Sequence, residues 1–341
     1  YSYGGAYGIY AAGDDVSVVN DGGIVAGGYY ATGIRSQSYG DAVVTNAGTI
    51  DAGSTTGSAL AWGINAQAAG EGAAIEVDNS GTIHASAVFG AIGIEAVSSG
   101  LGGTVQVSNS GDIVVRQNRA ITSYGAYGIL ASADGDASVY NGGSVDAASK
   151  GPAFGLVGMS FAGDASVVNV GDVTVTSTLN ASSSPAVGAV GILGFSGNGS
   201  VQVDNGGDIA VAAVRKATGI DASALGDVAV SNSGSIYAVT ALASSARADG
   251  IKVASGTGTI TAENAGSIYA SGAVLAFGVY ASAVSGDTQI HNMEGGEIGF
   301  YSYAGRGFGV FAFSEQGDVG IDNAGDISGY AWQQAYGARV R

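Results

Sequence analysis

The 341-residue sequence has no cysteine, only two prolines, only two histidines and few charged residues, which make up 11% of the chain. Without cysteine there is neither a disulfide framework nor a thiolate metal site. The scarcity of proline and the lack of a three-residue glycine period exclude a collagen-like chain. No apolar run approaches the roughly 18 residues that a membrane-spanning helix requires, so we expect no transmembrane segment.

The same scarcities argue against the common kinds of active site. His84 and His291 occupy different positions in the repeat described below, so they do not make a zinc site together. No nucleophile signature stands in a strand-to-helix context. No group of aspartate, lysine and arginine residues stands out from the rest of the sequence. We therefore predict that the protein is not an enzyme.

What the sequence has in abundance is glycine, with 61 residues, and an internal repeat. A short alternating stretch of valine or isoleucine ends at an asparagine, which is mostly followed by a glycine two residues later and an apolar residue four residues later. This phrase occurs eleven times at intervals of 26 to 36 residues, which predicts stacked units that share one core. The asparagines are Asn20, Asn46, Asn79, Asn109, Asn141, Asn169, Asn205, Asn232, Asn264, Asn292 and Asn323.

The asparagines are in phase with the apolar residues before them. Val201, Val203 and Asn205, for example, share one face of a strand of period two. We predict that each asparagine points into the core and donates to the next coil at a spacing of about 4.8 Å. Such a structural ladder would satisfy buried polar groups that otherwise cost about 1–3 kcal/mol each. The alternative is an exposed turn asparagine, chosen for its tolerance of left-handed backbone.

A second phrase, a glycine followed by isoleucine, leucine or valine, lies between successive asparagines, as at Gly93 and Gly128. Each repeat therefore offers three short strands. The sequence predicts an all-β fold, a right-handed parallel β-helix (β-solenoid) with three short strands per coil and about eleven coils. We expect the recurring glycines to occupy turns that need positive φ. The unbroken repeat predicts a single domain over residues 1–341, a segment of a longer chain or fibre.

The formal charge is −17, from 28 acidic and 11 basic residues. Such a surface should repel nucleic acid and anionic membranes, so we expect no nucleic-acid partner. Many acidic residues come just before the first strand of a repeat, and calcium is the ion that such a row would hold. The alternative is a solvated acidic edge without any cofactor, which keeps the rod soluble. The row consists of Asp41, Glu71, Asp136, Asp164, Asp227, Asp287 and Asp318.

The connection between the second strand and the next Gly-Ile phrase alternates between long and short from coil to coil. The longer connections are segments 51–62, 114–127, 174–190, 237–249 and 299–308. We expect them at one corner of the solenoid, where their arginines and aromatic residues have the composition of a contact surface. The alternative is that the aromatic side chains only cover the corner. The candidate contact residues are Trp62, Arg116, Arg119, Tyr124, Arg247, Tyr301, Tyr303 and Arg306.

The phrases at residues 46–50, 79–83, 109–113 and 323–327, such as Asn-Ser-Gly-Thr-Ile, resemble the passenger repeats of bacterial autotransporters and related large surface adhesins. The resemblance covers essentially the whole chain. It implies secretion to the cell surface of a Gram-negative bacterium, in association with the outer membrane. No catalytic residue of that family has a counterpart in this sequence.

Together these features predict a structural extracellular β-solenoid that acts as an adhesin stalk or fibre in surface attachment and biofilm formation. Its expected partners are other copies of itself, end to end or side by side, or a host surface, an abiotic surface or carbohydrate. One alternative is the subunit of a filament that polymerises end to end. Another is a β-helix enzyme that binds or cleaves polysaccharide, which a cleft lined by three or more acidic or basic side chains would favour.

Overall fold

The computed structural model describes residues 2–54, 59–119, 124–178, 188–241 and 246–341. These residues form 33 β-strands, which pair in parallel with the equivalent strands of the neighbouring coils. The fold is a parallel β-solenoid, and the prediction made from the repeat is confirmed.

Most strands contain five to nine residues. In chain order they are β1 (Ser2–Gly13), β2 (Val16–Asn20), β3 (Gly23–Ser38), β4 (Ala42–Asn46), β5 (Thr49–Gly53), β6 (Leu60–Ala68), β7 (Ala74–Asn79), β8 (Thr82–Ala87), β9 (Gly90–Ser98), β10 (Thr104–Asn109) and β11 (Ile113–Gln117). They continue with β12 (Ala126–Ala133), β13 (Ala137–Asn141), β14 (Val145–Ser149), β15 (Ala153–Ser160), β16 (Ala165–Asn169), β17 (Val173–Ser177), β18 (Ala189–Ser196), β19 (Val201–Asn205), β20 (Ile209–Ala213), β21 (Lys216–Ala224) and β22 (Val228–Asn232). The remaining strands are β23 (Ser235–Thr240), β24 (Arg247–Ser255), β25 (Ile260–Asn264), β26 (Ser267–Gly272), β27 (Leu275–Ala283), β28 (Thr288–Asn292), β29 (Glu297–Ser302), β30 (Arg306–Ser314), β31 (Val319–Asn323), β32 (Asp326–Ala331) and β33 (Gln334–Val340).

The strands stack into three sheets that run along the solenoid. The first sheet holds the eleven strands that end at an asparagine, from β2 to β31. The second sheet holds the strands that follow the glycine turn, and the third holds the strands with the Gly-Ile phrase. Strand β3 passes through the corner between the second and third sheets and pairs with both β5 and β6, where separate strands were expected.

The core between the sheets is narrow because its side chains are small or branched. The third sheet contributes one large aliphatic residue per coil, such as Ile64 or Ile94, and each of these two is completely buried. The first sheet contributes pairs such as Val105 and Val107, and the second sheet contributes small residues such as Ala85. The side chains at the inward positions of the period-two pattern therefore fill the interior of each coil.

The glycines serve close packing rather than turns, so the expectation of positive φ was wrong for most of them. Among the described residues only Gly72, Gly102 and Gly295 have positive φ. In the Gly-Ile phrase the glycine faces the interior. A Cβ at Gly250 would lie 2.6 Å from the carbonyl oxygen of Gly278 and would overlap a methyl group of Ile268, both of which belong to the next coil. Glycine is required there because the next coil leaves no room for a side chain.

Candidate functional site

The asparagines form a continuous hydrogen-bonded ladder inside the solenoid. The side-chain Nδ2 of each of the first ten donates to the Oδ1 of the asparagine in the next coil, at 2.7–2.8 Å, so that the ladder runs from Asn20 to Asn323. Most also donate to the carbonyl oxygen of the glycine two residues later, as Asn141 does to Gly143 at 3.0 Å. Ten of the eleven are buried and Asn323 is exposed, so the interior position expected from the valine phase is where the structure places them.

The acidic row has a structural role that the sequence did not suggest. In six coils the carboxylate Oδ1 of an aspartate accepts a hydrogen bond from a backbone N–H of the next coil, at 2.7–3.0 Å. The donors are the N–H groups of Asp41, Ala74, Asp164, Ser200, Thr259 and Asp318, and the acceptors are, in the same order, Asp15, Asp41, Asp136, Asp164, Asp227 and Asp287. The aspartates therefore pair backbone donors at the corner before the first sheet.

The predicted membership of this row needs two corrections. Asp15 belongs to it, because it accepts from the N–H of Asp41. Glu71 does not belong to it. Ala42 pairs with Ile75, so the equivalent of Asp41 in the next coil is Ala74, three residues beyond Glu71. The extra residues form a tight turn at Gly72, which has a φ of 69° and displaces Glu71 from the row.

Calcium should have little effect on stability. A calcium ion needs about six to eight oxygen ligands. The described residues contain no group of three or more acidic or histidine side chains that could hold a metal ion. We expect the same melting temperature in millimolar calcium and in excess chelator, followed by circular dichroism, with magnesium as the control for ionic strength. A melting temperature that rises strongly with calcium alone would overturn this prediction and establish a metal site.

The eight candidate contact residues lie in, or within three residues of, the connections between the second and third sheets. Three are exposed residues of connections: Arg119, Tyr124 and Tyr303. The other five lie inside strands rather than in loops: Trp62, Arg116, Arg247, Tyr301 and Arg306. They are divided between the second and third sheets, because strands of the third sheet begin several residues before the Gly-Ile phrase. Arg116 is already paired with Asp146 of the next coil, with 2.9 Å between Nη1 and Oδ1.

The predicted long loops are tested only in part. Segment 299–308 is not a loop, because β29 and β30 occupy all of it except residues 303–305. Its connection is only one residue longer than the connection between β26 and β27. The middle parts of the other four segments, residues 55–58, 120–123, 179–187 and 242–245, lie outside the described residues, and the long loops there stay a prediction.

Five charged side chains meet on the outer face of the third sheet, in β21 and β24. Lys252 Nζ lies 2.7 Å from Asp221 Oδ1, and Lys216 Nζ lies 3.8 Å from Asp221 Oδ2. Arg247 Nε donates to both carboxylate oxygens of Asp249 at 2.8 Å. The expectation that no group of aspartate, lysine and arginine stands out was therefore wrong. The coil spacing brings together residues that are some thirty positions apart in the sequence.

Burial shifts the titration of this charge cluster. Desolvation raises the pKa of the completely buried Asp249 above its usual range, and the charge of Arg247 opposes the shift. Desolvation lowers the pKa of Lys216, against the pull of Asp221. The carboxylates of Asp221 and Asp249 pair with lysine and arginine side chains and are almost completely buried, so the cluster is an internally paired network.

A second polar group lies on the same outer face, nearer the start of the chain. Asn65 Nδ2 donates to the Glu95 carboxylate, Trp62 lies beside it, and Arg35 contributes positive charge. Desolvation by burial is the larger effect and raises the pKa of Glu95 above its ordinary value, whereas these neighbours lower it.

The raised pKa of Glu95 makes stability depend on pH. Between its ordinary and its folded-state pKa, Glu95 binds more protons in the folded protein than in the unfolded chain. The free energy of unfolding therefore falls as the pH rises through this range, because the buried carboxyl group has to ionise. We expect Glu95→Gln to reduce the difference between the melting temperatures at pH 5 and pH 7. Glu76→Gln, which removes an exposed carboxylate from the first sheet, is the control for the loss of one charge. Identical pH profiles for wild type and Glu95→Gln would contradict the assignment.

Comparisons with protein-family models, with curated protein sequences and with solved structures found no match. The likeness to autotransporter passengers therefore rests on the repeat phrases alone. Within the described part of the chain, no helix has both the length and the apolar character needed to cross a membrane.

Proposed function

We propose that the chain is a structural, non-enzymatic β-solenoid that acts outside the cell as the stalk or fibre of a bacterial surface adhesin, in attachment and biofilm formation. The observation that carries this proposal is the asparagine ladder, in which ten hydrogen bonds of 2.7–2.8 Å connect every coil to the next. Bending or stretching the rod would break ladder and sheet hydrogen bonds at once. This rigidity suits a protein that holds a cell at a distance from a surface.

The charge of the chain supports the same role. A net charge of −17 makes such rods repel each other in solution, which opposes the association that exposed β-strands favour. The aspartates of the corner row place part of this charge along one edge, and these aspartates also bind backbone N–H groups. The proposal places the protein at the cell surface, in association with the outer membrane.

The proposal is tested by attachment and by electron microscopy. Beads coated with the full chain should adhere to polysaccharide-coated or abiotic surfaces more strongly than beads coated with an unrelated acidic protein of similar charge. Electron microscopy of the same preparation should show separate rods, roughly 50 Å long for eleven coils of about 4.8 Å. Beads that adhere no better than the control would contradict the adhesive role, and long filaments would favour the self-polymerising alternative.

A polysaccharide-cleaving enzyme is the second candidate, and the charge cluster of β21 and β24 is the observation that favours it. General acid–base chemistry needs a carboxyl group within reach of the substrate. Asp249 is completely buried and Asp221 is held by two lysines, so we rank this candidate second. Release of reducing ends from a polysaccharide panel, abolished by Asp221→Asn, would reverse the order.

A further inference from the structure

Five tyrosines lie on the outer side of the second sheet and in the connection that follows β29, in the last four coils. Tyr237, Tyr303 and Tyr330 are 51%, 46% and 49% exposed, and Tyr269 and Tyr301 between them are half-buried. These five residues are called the tyrosine patch. An exposed aromatic patch of this kind marks an interaction surface more often than a random surface does.

The tyrosine patch is held in place by its own packing. The rings of Tyr237 and Tyr269, in neighbouring coils, stack with centroids 5.3 Å apart and an interplanar angle of 11°. Tyr301 stacks on Tyr330 at 5.4 Å and meets the edge of Tyr303 at 4.6 Å. The rings are therefore fixed before any ligand arrives, which lowers the entropic cost of binding.

Beside these rings the surface drops into an open cavity. The tyrosine column continues as Gly299 and then Ser328 in the next two coils, because Tyr269 pairs with Gly299 and Gly299 with Ser328. The missing rings leave a cavity of about 370 Å³, with Tyr269 as one wall. A Cβ at Gly299 would lie 2.9 Å from the Tyr269 ring, so the absence of a side chain there lets the ring lie over the sheet.

The polar lining of the cavity is suited to hydroxyl groups. Glu297 and Asp326 are exposed and lie in register on adjacent coils, and neither takes part in an ion pair among the described residues. Ser267 and Ser328 add hydroxyl groups to the same lining. Carboxylates accept hydrogen bonds and serines donate or accept them. An aromatic ring beside such groups can pack on the C–H face of a sugar, while the hydroxyl groups of the sugar form hydrogen bonds with the carboxylates and serines.

We propose that this cavity and the tyrosine patch bind the chain of a neutral polysaccharide. The ligand is neutral because the cavity holds two carboxylates and no basic residue, and an anionic chain would be repelled. It is a chain rather than a single sugar because the patch spans four coils, roughly 14 Å from the first to the fourth. The inference deepens the proposed function and rests on it, since this is where the stalk would hold a surface glycan.

Calorimetric titration of the full chain with neutral oligosaccharides tests the site. The probes are cellohexaose, laminarihexaose and mannohexaose, with a galacturonic acid hexamer as the anionic comparison. We expect at least one neutral probe to bind. Tyr269→Ala should weaken that binding at least tenfold. Ser328→Trp, which fills the cavity without removing a packed ring, should do the same. Tyr39→Ala and Tyr140→Ala, which remove exposed tyrosines outside the patch, are the matched controls.

Several results would overturn the inference. They are no binding of any neutral probe, binding of the anionic probe alone, or binding that neither Tyr269→Ala nor Ser328→Trp weakens. Self-association that depends on the patch, without oligosaccharide binding, would assign the surface to a second copy of the chain. Beads that still adhere while oligosaccharide binding is absent would overturn the glycan site and leave the stalk, whereas loss of both would remove the two proposals together.

Discussion

Asn141→Ala should lower the free energy of unfolding by about 2–5 kcal/mol. Asn141 accepts from Asn109 at 2.8 Å and donates to Asn169 at 2.8 Å and to the Gly143 carbonyl at 3.0 Å. Alanine removes all three bonds and leaves the Asn169 oxygen without its ladder donor and the Gly143 carbonyl without its side-chain donor. Each buried polar group left without a partner costs about 1–3 kcal/mol. Urea denaturation followed by circular dichroism measures the loss.

An aspartate at the same position tests the direction of the ladder. Asn141→Asp keeps the acceptor for Asn109 but removes the donor, so two oxygens face each other at the Asn169 step. We expect a larger loss of stability than with alanine at neutral pH, and a partial recovery at acid pH, where a protonated carboxyl donates again. Asn118→Ala removes an exposed asparagine and is the control. Equal, near-zero effects of all three substitutions would show that the ladder contributes nothing.

Gly250→Ala should also be strongly destabilising, with a loss of at least about 3 kcal/mol. Its Cβ would lie 2.6 Å from the carbonyl oxygen of Gly278 and would overlap a methyl group of Ile268. Overpacking of a core ordinarily costs about 1–3 kcal/mol. The obstacle here is backbone that is fixed in a parallel sheet, so it cannot relax by a change of rotamer.

Gly53→Ala is the matched control for this prediction. A Cβ at Gly53 would meet nothing within 4 Å, so the change should alter the free energy of unfolding by less than about 0.5 kcal/mol. Both variants are compared in the same urea titration. A Gly250→Ala protein as stable as Gly53→Ala would mean that the coils do not approach each other as closely as the structure has them.

The fold could be predicted from the sequence because each coil repeats the same short sequence patterns. The alternation of Val201, Val203 and Asn205 gives both the strand and its inward face, and the recurring Gly-Ile phrase gives the third strand. The structural role of the glycines could not be predicted from these patterns. A residue such as Gly250 is explained by the next coil, about thirty residues away, and not by a local turn.

The outer faces were predicted less well than the core because the repeats differ in length. Glu71 was grouped with Asp41 because both precede a strand of the first sheet, but Asp41 lies five residues before Asn46 and Glu71 lies eight residues before Asn79, since an inserted turn moves it out of the row. The charge cluster did leave a signal. Aligning the phrases at Gly219 and Gly250 places Asp221 beside Lys252, as the structure does. Alignment by phrase rather than inspection along the chain would have found it.

The tyrosine patch was recognised only in part for the same reason. Tyr301 and Tyr303 were singled out as residues of a loop. Their neighbours Tyr269 and Tyr330 come from strands of the adjacent coils. Neither residue stands out in its own segment, because the surface arises only when the coils are stacked in register.

The central claim is that the asparagine ladder makes the rod rigid enough to hold a cell on a surface. The most direct test is to measure the shear at which coated beads detach. Beads would carry the wild-type chain, Asn141→Asp or Asn118→Ala at equal density, and all would be allowed to settle on the same surface. The account predicts equal attachment at rest, and detachment of the Asn141→Asp beads at lower shear than the other two. Equal detachment of all three, or no retention of the wild-type beads, would contradict it.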